Sequence, residues 1–396
     1  MLKRDKMLFI STCLLIISGV IFATDRLENY RNIEQAQVGQ AIFAPSANPK
    51  GPLQGIYLIA GGDIMLSRNI GYYNKREGYD RIFGSGKYNP IIDFQSCTSE
   101  NCLLFFNLES PFHPKDNDIQ MGGFTFRANT GNIEVLRQLR NPETHPAGDT
   151  SQSLPLVVSL ANNHLVNGGY VGLDTTMDLL HGYGIGYVGA GILPEEAGQI
   201  YQIIIGNIHI CLQAYSYEGR ENLRVGGGLI TRNPLNEAQM KTDLEEMKKI
   251  GCDMKILAPH RGREYKIDPT KAQIQLAHNL IDSGADLILG GHSHIPSKIE
   301  KYNGKYIFYS LGNFIFDQEW GKTASGREFD YIYDYKLQRK TVPTYIAMMA
   351  GFQLIKQGSG VQIILDDLHF DTVSKGIHEK LDEETSKSLR ELLLDA

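Results

Sequence analysis

The sequence predicts an α/β fold, and three observations carry that prediction. From Ile56 onward, apolar runs of strand length alternate with segments of helical periodicity. The runs lack polar alternation, as expected of strands covered on both faces. Six of them end in a polar cluster: IYLIA (56–60) before GGDIM, CLLFF (102–106) before NLES, LPLVVSL (154–160) before ANNH, MKILA (254–258) before PHRGREY, DLIL (286–289) before GGHSH, and KYIFYSL (305–311) before GNFIFDQ. In open α/β sheets, functional groups gather beyond the carboxyl ends of strands, so these clusters are expected to converge on one rim.

Taken in order, residues 1–24 read as a signal peptide or membrane anchor. Lys3, Arg4 and Lys6 precede the apolar run MLFISTCLLIISGVIFA (7–23), which is at the short edge for a membrane span. Cleavage and anchoring both stay open; either exports the body, to the membrane surface, periplasm or exterior. Residues 25–55 are a polar linker, 56–375 the main domain and 376–396 a C-terminal helix. Within the domain, Asp268-Pro269 is expected to open a helix to about Asp282, stopped by Gly284. Asn236–Ile250 is expected to be a second helix ended by Gly251, and Gly172–His181 a shorter one. Residues 319–340, rich in tyrosine, read as a long loop near the rim. Residues 345–371 have strand character, with a hairpin turn at Gly358-Ser359-Gly360, and 378–394 an amphipathic helix.

The 396 residues carry 42 % apolar and 21 % charged residues, which excludes a disordered body. A net charge of −6 excludes a broad basic surface, and with it wholesale nucleic-acid binding. Export places the cysteines in an oxidising compartment. Cys97 and Cys102 are close enough for a small disulfide loop, or stand as free thiols; Cys211 and Cys252 read as core.

The chemistry lies in the strand-end clusters. His260, His292 and His294 each follow an apolar run, and imidazole is a common donor to borderline metals. Asp63 and Glu109 add two carboxylates, Asn163 an amide oxygen and His164 a further imidazole. In HSH, alternate residues of an extended loop would turn both rings to one side. A lone histidine after a strand is more often structural; the ordered combination points to one or two divalent ions such as Mn, Zn or Fe, in a site too nitrogen-rich for calcium.

The ordered set GGDIML (61–66), NLES (107–110), FRAN (126–129), SLANNH (159–164), HRGREY (260–265), GADLILGGHSH (284–294) and YSLGNFIFDQ (309–318) resembles the CapA family of bacterial poly-gamma-glutamate capsule biosynthesis proteins and, more remotely, the calcineurin-like metallophosphoesterases. The resemblance implies a four-layer α/β/β/α sandwich with a di-metal rim site. It implies one ion held by Glu109, Asn163, His260 and His292, and another by Asp63, Glu109 and His294. Met65 stands where the metallophosphoesterases carry a histidine, leaving that second position a ligand short. The implied chemistry is metal-assisted hydrolysis, with His164 as general acid and Glu264 as proton shuttle or outer carboxylate. Arg127 and Arg261, and less distinctively Arg263, would receive anionic groups of the substrate. Three functions are compatible: a capsule or poly-gamma-glutamate biosynthesis protein hydrolysing or transferring an ester, phosphoester or amide; a non-enzymatic subunit binding the anionic polymer or the membrane subunits of its synthase; and a general secreted phosphoesterase.

Overall fold

The computed structural model describes residues 55–84, 86–115, 125–141, 153–217, 231–232, 235–318 and 342–394. Two sheets face each other. The first runs in the order Ile377–Lys380, Gly360–Ser374, Ile346–Gln357, Ile56–Ile64, Cys102–Leu108, Leu156–Ser159, Gly186–Val188, with Asn313–Ile315 also paired to the end of Ile56–Ile64. The second runs Ile299–Tyr302, Lys305–Phe308, Leu287–Leu289, Met254–His260, Ile208–Ser216, Tyr201–Ile205. The strands that end in the polar clusters run parallel to their cluster-bearing neighbours within each sheet. Their carboxyl ends therefore lie on one side, as expected from the sequence.

Alternation along each strand explains the uninterrupted apolar runs. Leu58, Phe105 and Val157 of the first sheet meet Leu212, Ile256, Leu287 and Phe308 of the second in a core between the sheets. Ile59, Leu104, Phe106 and Val158 face outward, onto Ile70, Leu136, Leu173 and Leu180 of the helices Arg68–Glu77, Ile133–Leu139 and Gly169–Gly182. Leu257 and Ile288 pack against Met240, Leu244, Leu276 and Leu280 of the helices Glu237–Lys249 and Lys271–Asp282. Both faces of the central strands of each sheet are thus dry, and the layers are helix, sheet, sheet, helix. Each such leucine or isoleucine contributes about 1.5–3 kcal/mol of burial.

Several boundaries differ from expectation. The helix expected from Asp268-Pro269 begins at Lys271. Thr270 caps it, with its hydroxyl accepting from the Gln273 amide at 3.3 Å while the Gln273 side chain accepts from the Thr270 amide at 3.0 Å. Asp268, placed before a proline, is biased toward extended backbone, so the cap passes to the Thr-x-x-Gln box. The helix read as Gly172–His181 is longer, Gly169–Gly182. His378 does not start the C-terminal helix: it lies in the strand Ile377–Lys380, with the helix following at Glu383–Leu394. Its buried ring holds Asp371 Oδ2 at 3.1 Å, a tie that favours strand pairing. The hairpin at 358–360 is as expected, joining Ile346–Gln357 to Gly360–Ser374 through Gly358 at φ +59°.

Cys97 and Cys102 form a disulfide. Cys211 and Cys252, read as core, are buried and also disulfide-bonded, tying the strand Ile208–Ser216 to the segment that leads into Met254–His260. The apolar N-terminal run, the linker up to residue 54 and the tyrosine-rich loop 319–340 lie outside the described residues. Among the described residues no helix is long and apolar enough to cross a membrane.

Candidate functional site

The site begins with a bulge. Pairing of Ile56–Ile64 with Cys102–Leu108 shifts register between Ala60 and Asp63. Gly61 and Gly62 sit in that shift, and neither tolerates a side chain. A Cβ on Gly61 would lie 2.2 Å from the Phe106 ring, and one on Gly62 2.0 Å from the Gly312 carbonyl oxygen. The bulge re-aims Asp63, while the Asp63 amide donates to that same Gly312 oxygen at 2.8 Å. Glu109 follows the next strand, its amide donating to the Ile64 carbonyl at 2.8 Å. His260 ends its own strand and bridges to Gly291. His292 and His294 are not in extended backbone as expected; both are left-handed, at φ +89° and +58°. Such conformations cost on the order of 1–3 kcal/mol each and persist where the surroundings impose them.

These side chains meet in two overlapping groups, Glu109 with His260 and His292, and Asp63 with Glu109 and His294, each with its ligand-type atoms within 4.8 Å of one another. All five residues are buried. His260 Nε2 lies 3.5 Å from Glu109 Oε1 and 3.0 Å from Asn163 Oδ1. His294 Nδ1 lies 3.5 Å from Asp63 Oδ2 and 3.8 Å from Glu109 Oε2. Asp63 Oδ2, both Glu109 oxygens and His292 Nδ1 have no hydrogen-bond partner. Beneath them a cavity of about 20 Å³ between the sheets is lined by Asp63, Asn107, His260 and Gly291, room for roughly one water.

The electrostatics show a cluster that draws in positive charge. Burial, and then the Glu109 carboxylate, raise the pKa of Asp63. Burial alone would raise Glu109 too, but His294 and His260 bring it down to about 2. Burial opposes charge on His294, yet Glu109 and Asp63 lift it to about 9. Burial and the neighbouring His260 and His294 push His292 down to about 2, keeping it neutral. His292 is thus held in the neutral form that a metal ligand needs, while His294 carries a proton that a bound cation would have to displace.

His164 lies at the edge of the cluster, stacked on Phe126 at 3.9 Å between ring centroids. Its Nδ1 meets Asn167 Oδ1 at 2.9 Å, and that oxygen also accepts the Phe126 amide at 2.7 Å. Asn167 therefore presents its oxygen, and the His164 proton sits on Nδ1, with Nε2 as the second nitrogen. Burial lowers the His164 pKa. Arg127 is half-buried, its Nε donating to the Asn167 carbonyl at 2.7 Å. Arg261 lines a different gap, with Gln273, Leu276 and Tyr309 on the helix side of the second sheet. Glu264 and Arg263 are exposed. Met65 is fully buried in the core, and its sulfur accepts from the Ser67 amide and hydroxyl, both at 3.3 Å.

Sequence reasoning missed a set of amides. Asn107 Nδ2 donates to Asp63 Oδ1 at 2.8 Å, and Asn162 Nδ2 donates to Asn107 Oδ1 at 3.1 Å. Asn313 Oδ1 lies 3.0 Å from His294 Nδ1. Each asparagine stood in a quoted motif, but an amide there is also a common turn residue. Tyr217 and Tyr265 were missed as well; they pack on His292 and His294 at 4.8 and 5.9 Å. Tyr217 follows the strand Ile208–Ser216, whose alternating apolar residues were the available signal.

The family profile described as "Bacterial capsule synthesis protein PGA_cap" matches residues 57–318. The "PGA biosynthesis protein CapA" of Bacillus subtilis (strain 168) is 30 % identical over 279 residues, covering 68 % of this chain and 66 % of that one. The "Capsule biosynthesis protein CapA" of Bacillus anthracis is 28 % identical over 279 residues, covering 68 % and 62 %. The matched region thus spans under two thirds of these relatives' own length. Among solved structures, the calcineurin-like phosphoesterase YfkN from Bacillus subtilis is similar at 16 % identity and a TM-score of 0.42, over 85 % of this chain and 96 % of that one. A likeness at that level carries no argument about activity.

Proposed function

Because the chain belongs to the family of bacterial capsule synthesis proteins, we propose that it acts outside the cytoplasm in capsule or poly-gamma-glutamate biosynthesis, and that its rim cluster hydrolyses or transfers an ester, phosphoester or amide with the help of divalent metal. One observation carries the metal reading: four buried ligand-type atoms, on Asp63, Glu109 and His292, have no hydrogen-bond partner. A buried polar atom left without a hydrogen bond costs about 1–3 kcal/mol, which a shared cation offsets. Glu109, Asn163, His260 and His292 would hold one ion, and Asp63, Glu109 and His294 the other; Mn, Zn and Fe all suit this donor set. When bound, such ions supply Lewis acidity and a water that ionises near neutral pH.

The remaining work falls to this chain's own groups. His164, with its Nδ1–H held by Asn167, would take the proton of the attacking water on Nε2 and then pass it to the leaving atom. Phe126 fixes the ring plane and shields it from water. Arg127 would bind an anionic group of the polymer; Arg261 would join it only by leaving its gap beside Gln273. Exposed Glu264, whose charge acts on both His294 and Tyr265, would relay protons to solvent. The test is His292→Ala in the full chain, with element analysis beside turnover and polymer yield. Loss of metal and of turnover together is expected. A native protein without metal, with a variant that still supports polymer assembly, would sink the reading.

Met65 favours a second reading. A thioether committed to Ser67 in the core is no donor to the rim, which suits a site kept only to bind the anionic polymer or membrane subunits of its synthase. In that case the purified protein would show no turnover for His292→Ala to remove, and the variant would lose retention of the polymer or of those subunits in a pull-down.

A further inference from the structure

We infer that Asn313 completes the metal position for which Met65 supplies nothing; the inference rests on the metal-site reading above. Asn313 opens the short strand Asn313–Ile315, directly opposite Asp63 in a parallel pair. That register places its amide beside the Asp63, Glu109 and His294 group. Its oxygen lies 3.0 Å from His294 Nδ1, the same nitrogen that faces Asp63 Oδ2 at 3.5 Å and Glu109 Oε2 at 3.8 Å.

The amide cannot turn over. Its Nδ2 donates to the Thr344 carbonyl oxygen at 3.0 Å and to Gln318 Oε1 at 3.3 Å. Gln318 could flip in response, but a backbone carbonyl cannot become a donor, so Thr344 fixes Oδ1 toward His294. In the ion-free chain this is an ordinary hydrogen bond from the ring N–H. A nitrogen that ligates metal carries no proton. Asn313 Oδ1 and His294 Nδ1 would then be two acceptors 3.0 Å apart, which is repulsive unless a cation binds both. With Asp63, Glu109 and His294, Asn313 makes the donor set four, and the added ligand is a neutral oxygen in place of an imidazole. Oxygen-rich character favours Mn(II) over Zn(II) at this position relative to its neighbour, where His260 and His292 supply two nitrogens.

The experiment loads the full chain with Mn(II), counts ions by element analysis and distinguishes spin-coupled pairs from isolated ions by electron paramagnetic resonance. The wild type should hold a coupled pair. Asn313→Ala should retain one ion with an isolated signal. Asn313→Asp should restore the pair and bind the second ion about tenfold more tightly or better, because a carboxylate replaces a neutral oxygen. If Asn313→Ala loses its fold with the Thr344 contact, Asn313→Asp still decides: a purely structural amide predicts weaker binding of the second ion. A coupled pair surviving in Asn313→Ala, or only one ion in the wild type, overturns this inference and leaves the metal-site reading standing. No ion in the wild type overturns both.

Discussion

Replacing Gly62 with alanine tests how the site is held. The added Cβ would lie 2.0 Å from the Gly312 oxygen, 2.7 Å from the Gly312 carbonyl carbon and 3.0 Å from the Leu311 oxygen, all backbone atoms, where ordinary contact begins at 3.4 Å. No side-chain rotation relieves this; the two chain segments must part by about an ångström, judged against normal packing. Parting them breaks the hydrogen bond from the Asp63 amide to the Gly312 oxygen, worth about 1 kcal/mol. Overpacking adds about 1–3 kcal/mol, so the expected loss is about 3 kcal/mol. For a domain of this size that lowers Tm by roughly 4–5 °C. Gly62 and Gly312 precede Asp63 and Asn313, so metal content should fall as well. The assay is urea unfolding followed by circular dichroism. Gly304→Ala is the control: it shares no close contact but has φ +77°, and should cost about 1 kcal/mol with metal content intact. A Gly62→Ala protein within about 0.5 kcal/mol of wild type would refute the reasoning that the glycine pair sets the bulge.

Two further predictions concern stability away from the rim. The Cys211–Cys252 disulfide closes a separation of 41 residues and Cys97–Cys102 one of 5. In the chain-entropy account, removing the first by double alanine substitution should cost about 4 kcal/mol and the second about 2 kcal/mol; equal losses in urea unfolding would count against that account. Thr270→Ala should cost about 1 kcal/mol through loss of the cap, while Asp268→Ala should cost a few tenths at most. The reverse order would return the helix start to Asp268.

The strand runs, their polar ends and the residue types gathered there were legible in the sequence, because burial on both faces writes an uninterrupted apolar run and a strand end writes an abrupt change to polar residues. Asp63, Glu109, Asn163, His260, His292 and His294 could be named from those ends. Only the tertiary structure decided how they meet. Which nitrogen of His294 faces the carboxylates depends on a left-handed backbone and on a neighbouring asparagine from a strand 19 residues away. Whether Met65 reaches the rim depends on its Ser67 contacts, and where the Asn313 amide points depends on the Thr344 carbonyl. Cys211 and Cys252 read as core until the fold set the turn before Met254–His260 beside the strand Ile208–Ser216. Periodicity records which face of an element is dry; orientation at a site is set by hydrogen bonds between segments far apart in the chain, and a sequence carries no local mark of those.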